Sequence, residues 1–385
     1  MQLTYTPEQE AFRAEVRAWM RAHVPAEKLA SFDSAEGFEQ HRAWERTLAS
    51  GNYGMVTWPA EYGGRGLDLI QWLIFEEEYH RAGAPGRVNQ NGIFLLGPTM
   101  MEYGTPEQKA RFLSAMAAGD EVWAQAWSEP QAGSDLAAVR ATAVRDGDDY
   151  VLTGHKIWSS RAVFADWAFG LFRTEAGSER HKGLSLILFP LKMEGVDVRP
   201  IPQIDGEAGF AEIFLDGARV PIANRLGDEG QGWHVCMATA GFERGLMLRS
   251  PARFQAAAAR LVELAKRDSD RVDATISAAV MQAAMDAEAY ALSIYSTASR
   301  LMAGGKIGAE ASCNKIFWSE LDVRLNRTAL SILGARAELL REAPDAGDVG
   351  NWLDAYLFSL AGPIYAGTNE IQRNIIAERV LGLPR

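Results

Sequence analysis

The sequence contains very little cysteine, which limits both its compartment and its chemistry. Cys236 and Cys313 are the only two cysteines among 385 residues. Two isolated thiols cannot build a disulfide framework and form no metal-binding pattern, so the sequence is typical of a reducing compartment. The first residues, MQLTYTPEQEAFRAEVRAW, also lack the apolar segment and cleavage site of a signal peptide. We therefore expect a cytoplasmic protein.

Long apolar runs and an excess of basic residues are also missing. No stretch approaches the roughly 18 apolar residues that a membrane-spanning helix needs, so no membrane span is expected. The 39 lysines and arginines are outnumbered by 50 acidic residues, which gives a net charge of −11. Because nucleic acids bind basic surfaces, this charge balance argues against a nucleic-acid partner.

Most familiar catalytic motifs are absent as well. The chain has no G-x-G-x-x-G, Walker, H-E-x-x-H, C-x-x-C or G-x-S-x-G motif. Its six histidines are scattered without metal-ligand pairing, so no metal site is predicted. The glycine-rich segment Glu61–Gly66 lacks the Lys-Ser/Thr of a phosphate loop and favours an ordinary turn. A Ser-His-Asp hydrolase stays open, because such triads assemble only in space.

The beginning of the chain is helical in pattern. The segment Thr6–Gln9 has a threonine cap, a proline in the first turn and a glutamine that can return the hydrogen bond. Phe12, Val16 and Trp19 follow at helical spacing and predict one buried stripe. The same tetrapeptide recurs at Thr105–Gln108 and predicts a second helix start.

The middle of the chain is rich in short β-type runs. Asp146-Gly147 lies between two such runs, as expected of a β-hairpin. Strands and helices do not alternate, which argues against a Rossmann sheet. The spacing favours a small antiparallel sandwich or barrel. The runs span residues 150–152, 167–172, 184–189 and 211–215.

The last part of the chain has a long apolar seam whose alanines permit close helix packing. Its members are Ile276, Val280, Ala283, Ala287, Ala291, Ile294, Ala298 and Leu301. We therefore predict a mainly α fold with a central β-domain. Its parts are an N-terminal helical domain over residues 1–122, a middle antiparallel β-sandwich or barrel over 123–226, and a C-terminal helical bundle over 227–385.

Three segments contain the residue types of a ligand site. Ala126–Asp135 has the proline, glycine and serine of a shaped loop that offers N–H groups and hydroxyls to a polar ligand. Gly154–Ser160 places an indole beside hydroxyls, which suits a flat heterocycle. Gly362–Arg373 is a loop before a short helix, where N–H groups can receive an oxygen or phosphate. An ordinary turn, a core tryptophan and a capped terminal helix are the respective alternatives.

Together and in this order, these segments resemble the acyl-CoA dehydrogenase family over essentially the whole chain. The resemblance rests on WPAEYGGRGLDLIQWLIFEEEYHRAGAP, MEYGTPEQKARFL, SEPQAGSDL, DGDDYVLTGHKIW, LGDEGQGW and YAGTNEIQRNIIAERVLGLPR. The family fold is an N-terminal helical domain, a central β-domain and a C-terminal four-helix bundle, in agreement with the pattern above. The resemblance implies an oxidoreductase that uses FAD and an acyl-CoA thioester.

By this resemblance, the loop after the first strand of the β-domain binds the flavin. Ala126 belongs to this set, and Trp127 and Ser128 are expected along the isoalloxazine ring. Gly133 and Ser134 are expected near the pyrophosphate or the pantetheine entrance, where Ser134 would also contact the substrate.

Two other segments are expected to complete the cofactor site. The resemblance implies that Trp158 faces the flavin and that Ser160 forms a hydrogen bond near its reactive edge. Thr368 and Glu370 are expected to contact the cofactor from the C-terminal loop.

The catalytic base requires a separate argument, because the usual residue is missing. Most members of the family read Y-E-G-T where this chain has Y-A-G-T, with Ala366 in place of the glutamate. A minority supply the carboxylate from another helix, just before an arginine, and Glu243-Arg244 occupies that place. The resemblance therefore implies Glu243 as the base, Arg244 in the substrate site and the Ala366 backbone N–H as a donor to the thioester carbonyl. A solvated Glu-Arg pair is the alternative.

The leading hypothesis is α,β-dehydrogenation of an acyl-CoA to the trans-2-enoyl-CoA, with an electron-transfer flavoprotein as electron acceptor. The alternatives are an acyl-CoA oxidase-like enzyme, a decarboxylating relative, and a non-catalytic or flavin-sharing subunit of a heteromeric enzyme. The resemblance implies a homo-oligomer, dimer or tetramer, or a heterotetramer with a related chain. Apolar side chains expected near the acyl group are Phe94, Met100, Met101, Met237, Phe242 and Met247.

Two stretches depart from the family pattern. Residues 266–271 replace an Arg-x-x-Phe-Gly stretch, and residues 331–335 replace Gln-Ile-Leu-Gly-Gly. In the family both stretches lie at the FAD of a neighbouring subunit, so some dinucleotide contacts are expected to differ. The ending ERVLGLPR and the form GFERG are similar to a bacterial branch that acts on sterol side chains and other bulky acids.

Overall fold

The structure, a computed structural model, describes residues 4–243, 249–340, 343 and 349–384, and the side chains of 243, 349 and 350 are not described. Contacts divide the chain into two compact units. Unit 1 comprises Met1–Ala22, Asp68–Ala84 and Arg244–Arg385, and unit 2 comprises His23–Leu67 and Pro85–Glu243. The three domain boundaries drawn from the sequence stay a prediction.

The described elements follow the expected order of helices, strands and helices. The helices are α1 (Pro7–His23), α2 (Ala35–Ser50), α3 (Leu69–Arg81), α4 (Gly97–Tyr103), α5 (Pro106–Ala118), α6 (Gly232–Glu243), α7 (Pro251–Arg267), α8 (Ala274–Met302), α9 (Ala311–Leu333), α10 (Val349–Ser359) and α11 (Asn369–Ile375). The strands are β1 (Trp123–Ala126), β2 (Thr142–Asp146), β3 (Asp149–Ser160), β4 (Trp167–Arg173), β5 (Leu184–Pro190), β6 (Val196–Ile201), β7 (Phe210–Pro221) and β8 (Arg225–Leu226). The predicted mainly α fold with a central β-region is confirmed.

Both predicted helix starts have the reciprocal hydrogen bonds that their sequence indicates. The Gln9 N–H donates to Thr6 Oγ1 at 3.2 Å, and the Thr6 N–H donates to Gln9 Oε1 at 3.0 Å. The equivalent distances between Thr105 and Gln108 are 3.2 and 3.1 Å. These bonds satisfy N–H groups that the first turn of a helix leaves unpaired.

Unit 1 is a helical assembly in which α7, α8, α9 and α10 pack together and α3 packs against α7 and α8. The predicted seam of α8 is buried from Val280 to Ala298. α1 joins α3 through a buried carboxylate: Arg17 Nε donates to Glu78 Oε2 at 2.8 Å, and Arg13 Nη1 donates to Glu78 Oε1 at 3.2 Å. These guanidinium groups hold the pKa of Glu78 below its usual range, although burial alone would raise it.

Unit 2 contains one eight-stranded sheet whose main path is β6-β7-β3-β2-β4-β5-β8. Its pairings are antiparallel except that β1 and β2 each run parallel to β4. The antiparallel part fits the predicted middle region, whereas the two parallel pairings have no local signal in the sequence. The Asp146-Gly147 hairpin forms between β2 and β3, with Gly147 at a φ of 64° that favours glycine.

The buried turn residue Asn89 of unit 2 fixes the start of β1. The Trp123 N–H donates to Asn89 Oδ1 at 3.0 Å, and Asn89 Nδ2 donates to the carbonyls of Met116 and Glu121 at 2.9 and 3.0 Å. Because Asn89 is fully buried, this amide ties the end of α5 to the strand that leads into the predicted flavin loop. Among the described residues, no helix is long and apolar enough to cross a membrane.

Candidate active site

The loop after β1 presents its predicted residues in different environments. Trp127 is buried and packs at a right angle to the ring of Phe169, with the ring centroids 6.1 Å apart. Its indole Nε1–H is buried and donates to no described residue. Ser128 is half-buried, whereas Gly133 and Ser134 are exposed, and a Cβ added at Gly133 would enter open space. Ala126 has a buried methyl group, so only its backbone is available to a ligand.

Sequence reasoning missed Glu129 as a structural centre of this loop. Its carboxylate accepts hydrogen bonds from the N–H groups of Arg140 and Ala141 at 2.7 and 2.9 Å. It also accepts 2.7 and 2.6 Å hydrogen bonds from Lys156 Nζ and Gln131 Nε2. Burial alone would raise the pKa of Glu129, but Lys156 and the backbone donors hold it below its usual range. The two charged residues lie in the stretches SEPQAGSD and GHKIW, but no local pattern indicates that they pair.

Trp158 lies at a β-bulge in the pairing of β3 with β7. Lys156 pairs with Ile213 and Ser159 with Ala211, so two residues of β3 oppose one of β7. Trp158 has a φ of 61°, which is strained for a bulky residue, and its side chain is 57% exposed. The bulge therefore turns this indole outward, as required for the predicted contact with a flat cofactor.

Two neighbouring serines follow the bulge. Ser160 is half-buried and pairs with Phe210 in the ladder. Ser159 was not singled out from the sequence, yet its Oγ is buried and no described residue bonds to it. A buried hydroxyl without a partner is costly unless a ligand or water completes it.

The C-terminal loop of unit 1 has a conformation that L-residues rarely adopt. Ala366 and Gly367 have φ values of 58° and 75°. The buried Gln372 donates from Nε2 to the carbonyls of Ala366 and Gly367 at 3.0 and 3.2 Å. Within the described chain, the N–H groups of Ala366, Gly367 and Thr368 donate to no protein acceptor. This turn keeps three neighbouring donors available while its carbonyls are held on Gln372.

The rest of the loop is anchored on α9. Thr368 Oγ1 accepts from the Ile371 N–H at 3.2 Å and so caps α11. Asn369 is buried and accepts from Lys315 Nζ at 2.8 Å. Glu370 is exposed and pairs with Arg373 at 3.1 Å. Thr368 and Glu370 therefore border the donor turn, while Asn369 secures it.

The predicted base lies at the end of α6. The side chain of Glu243 and all of Arg244 lie outside the described residues, as does Met247. One turn earlier, Thr239 Oγ1 contacts Thr99 Oγ1 of α4 at 2.9 Å, and both side chains are buried. Of the apolar set, Phe94 and Met100 are buried and Met237 is 37% exposed.

The two departing stretches meet each other within unit 1. Arg271 Nη1 donates to the Leu333 carbonyl at 3.1 Å, and Arg336 Nη2 pairs with Asp268 at 2.7 Å. Gly334, which follows Leu333 in the chain, has a φ of 58°. In the described residues, no cluster of His, Cys, Asp or Glu has the arrangement of a metal site.

Three domain models of a single enzyme family match this chain in order. They are the acyl-CoA dehydrogenase N-terminal domain over residues 6–120, the middle domain over 124–218 and the C-terminal domain over 230–381. The chain belongs to the acyl-CoA dehydrogenase family. The resemblance read from the sequence is confirmed, and with it an oxidoreductase that has FAD as its cofactor.

Similar acyl-CoA dehydrogenases match over their whole length. Acyl-CoA dehydrogenase IpdE1 of Mycobacterium tuberculosis is 42% identical over 383 residues, which are 98% of this chain and 98% of the relative. Acyl-CoA dehydrogenase FadE26 of the same organism is 36% identical over 404 residues, with coverage of 100% and 99%.

Solved structures have the same fold. A chain of the ChsE4–ChsE5 complex from Mycobacterium tuberculosis matches with a TM-score of 0.86 at 34% identity. The match covers 100% of this chain and 100% of that chain. The Tcur3481–Tcur3483 steroid ACAD matches with a TM-score of 0.89 at 29% identity and full coverage of both chains.

The residues of this acyl-CoA dehydrogenase fit an FAD molecule. Trp127 Nε1 and Ser159 Oγ are buried polar atoms that have no partner in the described chain. Trp158 presents an exposed aromatic face, and Gly133 leaves open space beside exposed Ser134. Unit 2 thus brings together, on one loop and one bulge, the aromatic surface and donors that a flavin requires.

Proposed function

We propose that this acyl-CoA dehydrogenase converts an acyl-CoA thioester to the trans-2-enoyl-CoA with Glu243 as the catalytic base. The observation that carries the proposal is the turn at Ala366. It has a left-handed backbone and an N–H without an acceptor among the described residues, although its side chain has no carboxylate. A turn that served only to present a side-chain base would have no reason to retain this conformation.

The chain's own residues would act on the α-carbon and the thioester carbonyl. The Ala366 N–H donates to the carbonyl oxygen and stabilises the negative charge that develops there. Glu243 accepts the α-proton, and desolvation by the acyl chain would bring its basicity into the working range. FAD, when bound, supplies the two-electron acceptor for the hydrogen that leaves Cβ.

By the resemblance, the loop after β1, the bulge of β3 and the C-terminal turn would each supply groups to the cofactor. Trp127 and Ser128 would lie along the isoalloxazine ring, Trp158 would face the flavin, and Ser160 would form a hydrogen bond near its reactive edge. Thr368 and Glu370 would contact the cofactor from the C-terminal loop. Ala126, Ser128, Gly133 and Ser134 would complete the flavin loop, with Ser134 and Arg244 also contacting the substrate.

We further propose a bulky, steroid-type acyl group and electron transfer to an electron-transfer flavoprotein. The steroid acyl group is supported by the Tcur3481–Tcur3483 steroid ACAD, which matches this chain over its whole length. The GFERG and ERVLGLPR forms noted in the sequence agree with it.

The test of the base is anaerobic bleaching of the flavin by a panel of short, long, aromatic and steroid acyl-CoAs. We expect one class to bleach the wild-type protein. Glu243→Gln should keep the flavin and lower the bleaching rate by at least about 100-fold, because a general base is lost. Glu263→Gln, which removes an exposed carboxylate of α7, is the matched control and should bleach normally. Full reduction of the Glu243→Gln protein would remove Glu243 from the mechanism.

A subunit of a heteromeric enzyme is the second candidate. It is favoured by the ChsE4–ChsE5 complex, whose two different chains are named together. A chain of this kind would purify with little FAD alone and gain FAD and activity on co-expression with its sister chain. A homo-oligomer that binds about one FAD per chain and bleaches alone would contradict this candidate.

A further inference from the structure

Lys156 is a fully buried lysine that takes no direct part in the proposed reaction. Its side chain has 0% exposure. Its ammonium donates to Leu171 O at 2.6 Å, to Glu129 Oε1 at 2.7 Å and to Trp127 O at 3.4 Å. An ammonium has three donors, so each one has a protein acceptor here. The group is therefore arranged to hold its neighbours together and offers no free donor to a ligand.

These contacts join the flavin loop to β3 at successive residues. The Ile157 N–H, next to Lys156, donates to the Ser128 carbonyl at 2.9 Å. Trp127, Ser128 and Glu129 are thus each bonded to Lys156 or to the residue after it. Trp158 follows immediately, at the bulge. The loop and the outward-turned indole are therefore both adjacent to the buried Lys156, which bonds the loop directly.

The strain of the bulge makes such an anchor necessary. A bulky residue at positive φ is unfavourable and persists only where the surrounding structure enforces it. The two carbonyls of Trp127 and Leu171 converge on one buried cation. An apolar side chain would fill the same volume but would leave both carbonyls without this donor, so their positions would no longer be fixed.

We infer that Lys156 is a positioning residue for FAD, which holds the loop of Trp127 and Ser128 against the bulge that turns Trp158 outward. The inference rests on FAD as the cofactor and on these residues as its contacts. It is independent of the identity of the base and of the acyl group, so failure of the Glu243 experiment leaves it standing.

The experiment compares single and double variants to decide whether Lys156 positions the flavin loop or only neutralises the charge of Glu129. Lys156→Met leaves Glu129 buried without its counter-ion and should lower the melting temperature of the apoprotein. Lys156→Met combined with Glu129→Gln removes both charges, and the glutamine oxygen keeps one of the two backbone donors, which bond different oxygens of the carboxylate. Because neutral replacements of a buried pair are tolerated, this double variant should recover most of the melting temperature.

The readouts are the FAD dissociation constant of the apoprotein and the visible circular dichroism of bound flavin. We expect FAD to bind at least tenfold more weakly to both variants, with an altered dichroism band, even where stability has recovered. Where Lys156→Met alone does not fold, the double variant provides the test. Wild-type FAD affinity and dichroism in the double variant would overturn the inference and leave Lys156 as a charge partner only.

A second buried carboxylate provides the matched control. Glu78→Gln breaks the ion pairs with Arg13 and Arg17 in unit 1. This variant should lose stability as Lys156→Met does, but its FAD dissociation constant should equal that of the wild type. An equal loss of FAD affinity in Glu78→Gln would show that general destabilisation weakens the cofactor and would also overturn the inference.

Discussion

At the scale of single residues, Ala366 is the position where the proposal assigns a role to the backbone and none to the side chain. A non-glycine residue in the left-handed region costs roughly 1–2 kcal/mol. Ala366 adopts this unfavourable conformation although its side chain has no carboxylate. What the conformation provides is the orientation of consecutive N–H groups, and Gln372 enforces it through the two carbonyls.

The first residue-scale prediction concerns Gln372. Gln372→Met removes both amide donors at similar volume, so the Ala366 and Gly367 carbonyls lose their partner and the turn can relax. We expect the bleaching rate at saturating acyl-CoA to fall by about 10- to 100-fold, since oxyanion donors typically contribute at least this much. The concentration of acyl-CoA for half-maximal rate should change much less.

Gln282→Met is the control for this substitution. Gln282 is exposed on α8 and bonds only Asp286 at 2.8 Å among the described residues. It should leave the rate unchanged. A Gln372→Met protein that bleaches at the wild-type rate would show that the turn is held by its other anchors, Thr368 and Asn369.

At the scale of elements, α6 is tied to α4 one turn before the proposed base. Thr99 and Thr239 contact each other at 2.9 Å, and each hydroxyl also lies within hydrogen-bond distance of the carbonyl four residues earlier. Two buried hydroxyls thus fix the rotation of α6 about its axis. Because residue 243 ends this helix, the same rotation positions its backbone.

Thr239→Val is therefore expected to slow proton removal more than it disturbs the fold. Valine matches the shape but lacks the hydroxyl, which should cost about 1 kcal/mol of stability. We expect bleaching to slow by about 3- to 10-fold, with a displaced pH–rate profile. Thr239→Ser keeps the hydroxyl and should restore both the rate and the profile. A normal profile in the valine variant would assign Thr239 to packing alone.

The sequence predicted elements better than it predicted their irregularities. The helix starts at Thr6 and Thr105 follow from local chemistry, because cap and glutamine lie three residues apart. The bulge at Trp158 does not, since it depends on how β3 pairs with a strand more than 50 residues later. The roles proposed for Lys156 and Gln372 have no local signal either. Both side chains donate to backbone carbonyl groups, which every residue has, and Lys156 also pairs with Glu129, which lies 27 residues away in the sequence.

At the scale of the whole molecule, the buried carboxylates predict the acid sensitivity of the fold. The pKa values of Glu78 and Glu129 are lowered in the folded state. Their stabilisation is fully present above the ordinary glutamate pKa of about 4.3 and is lost as the pH falls through the lower folded-state values.

The free energy of unfolding should therefore decrease from about pH 5 downward, measured by urea titration at several pH values. In Glu78→Gln the free energy of unfolding should depend less on pH below about pH 5. One of the groups that must take up a proton on unfolding is gone in this variant. Equal pH slopes in the variant and the wild type would contradict the assignment of Glu78.

The family and the order of its domains were also accessible from the sequence, because six separate stretches carry the resemblance. The grouping of α1 and α3 with the C-terminal helices was not. This grouping depends on long-range contacts such as those of Glu77 with Arg13 and Tyr295, which no local sequence pattern predicts.

This grouping has a consequence for the growing polypeptide. About 170 residues separate the end of α3 at Arg81 from the start of α7 at Pro251. At about 5–20 residues per second, the ribosome needs roughly 10 to 30 s to deliver the partners of the first helices. During that time the apolar faces of α1 and α3, which include Val16 and Leu73, have no bundle to enter. Unit 2 has all its segments as soon as Glu243 emerges, whereas α1 and α3 still wait for the C-terminal helices. Until those helices are made, α1 and α3 are the part of the new chain that requires protection from aggregation.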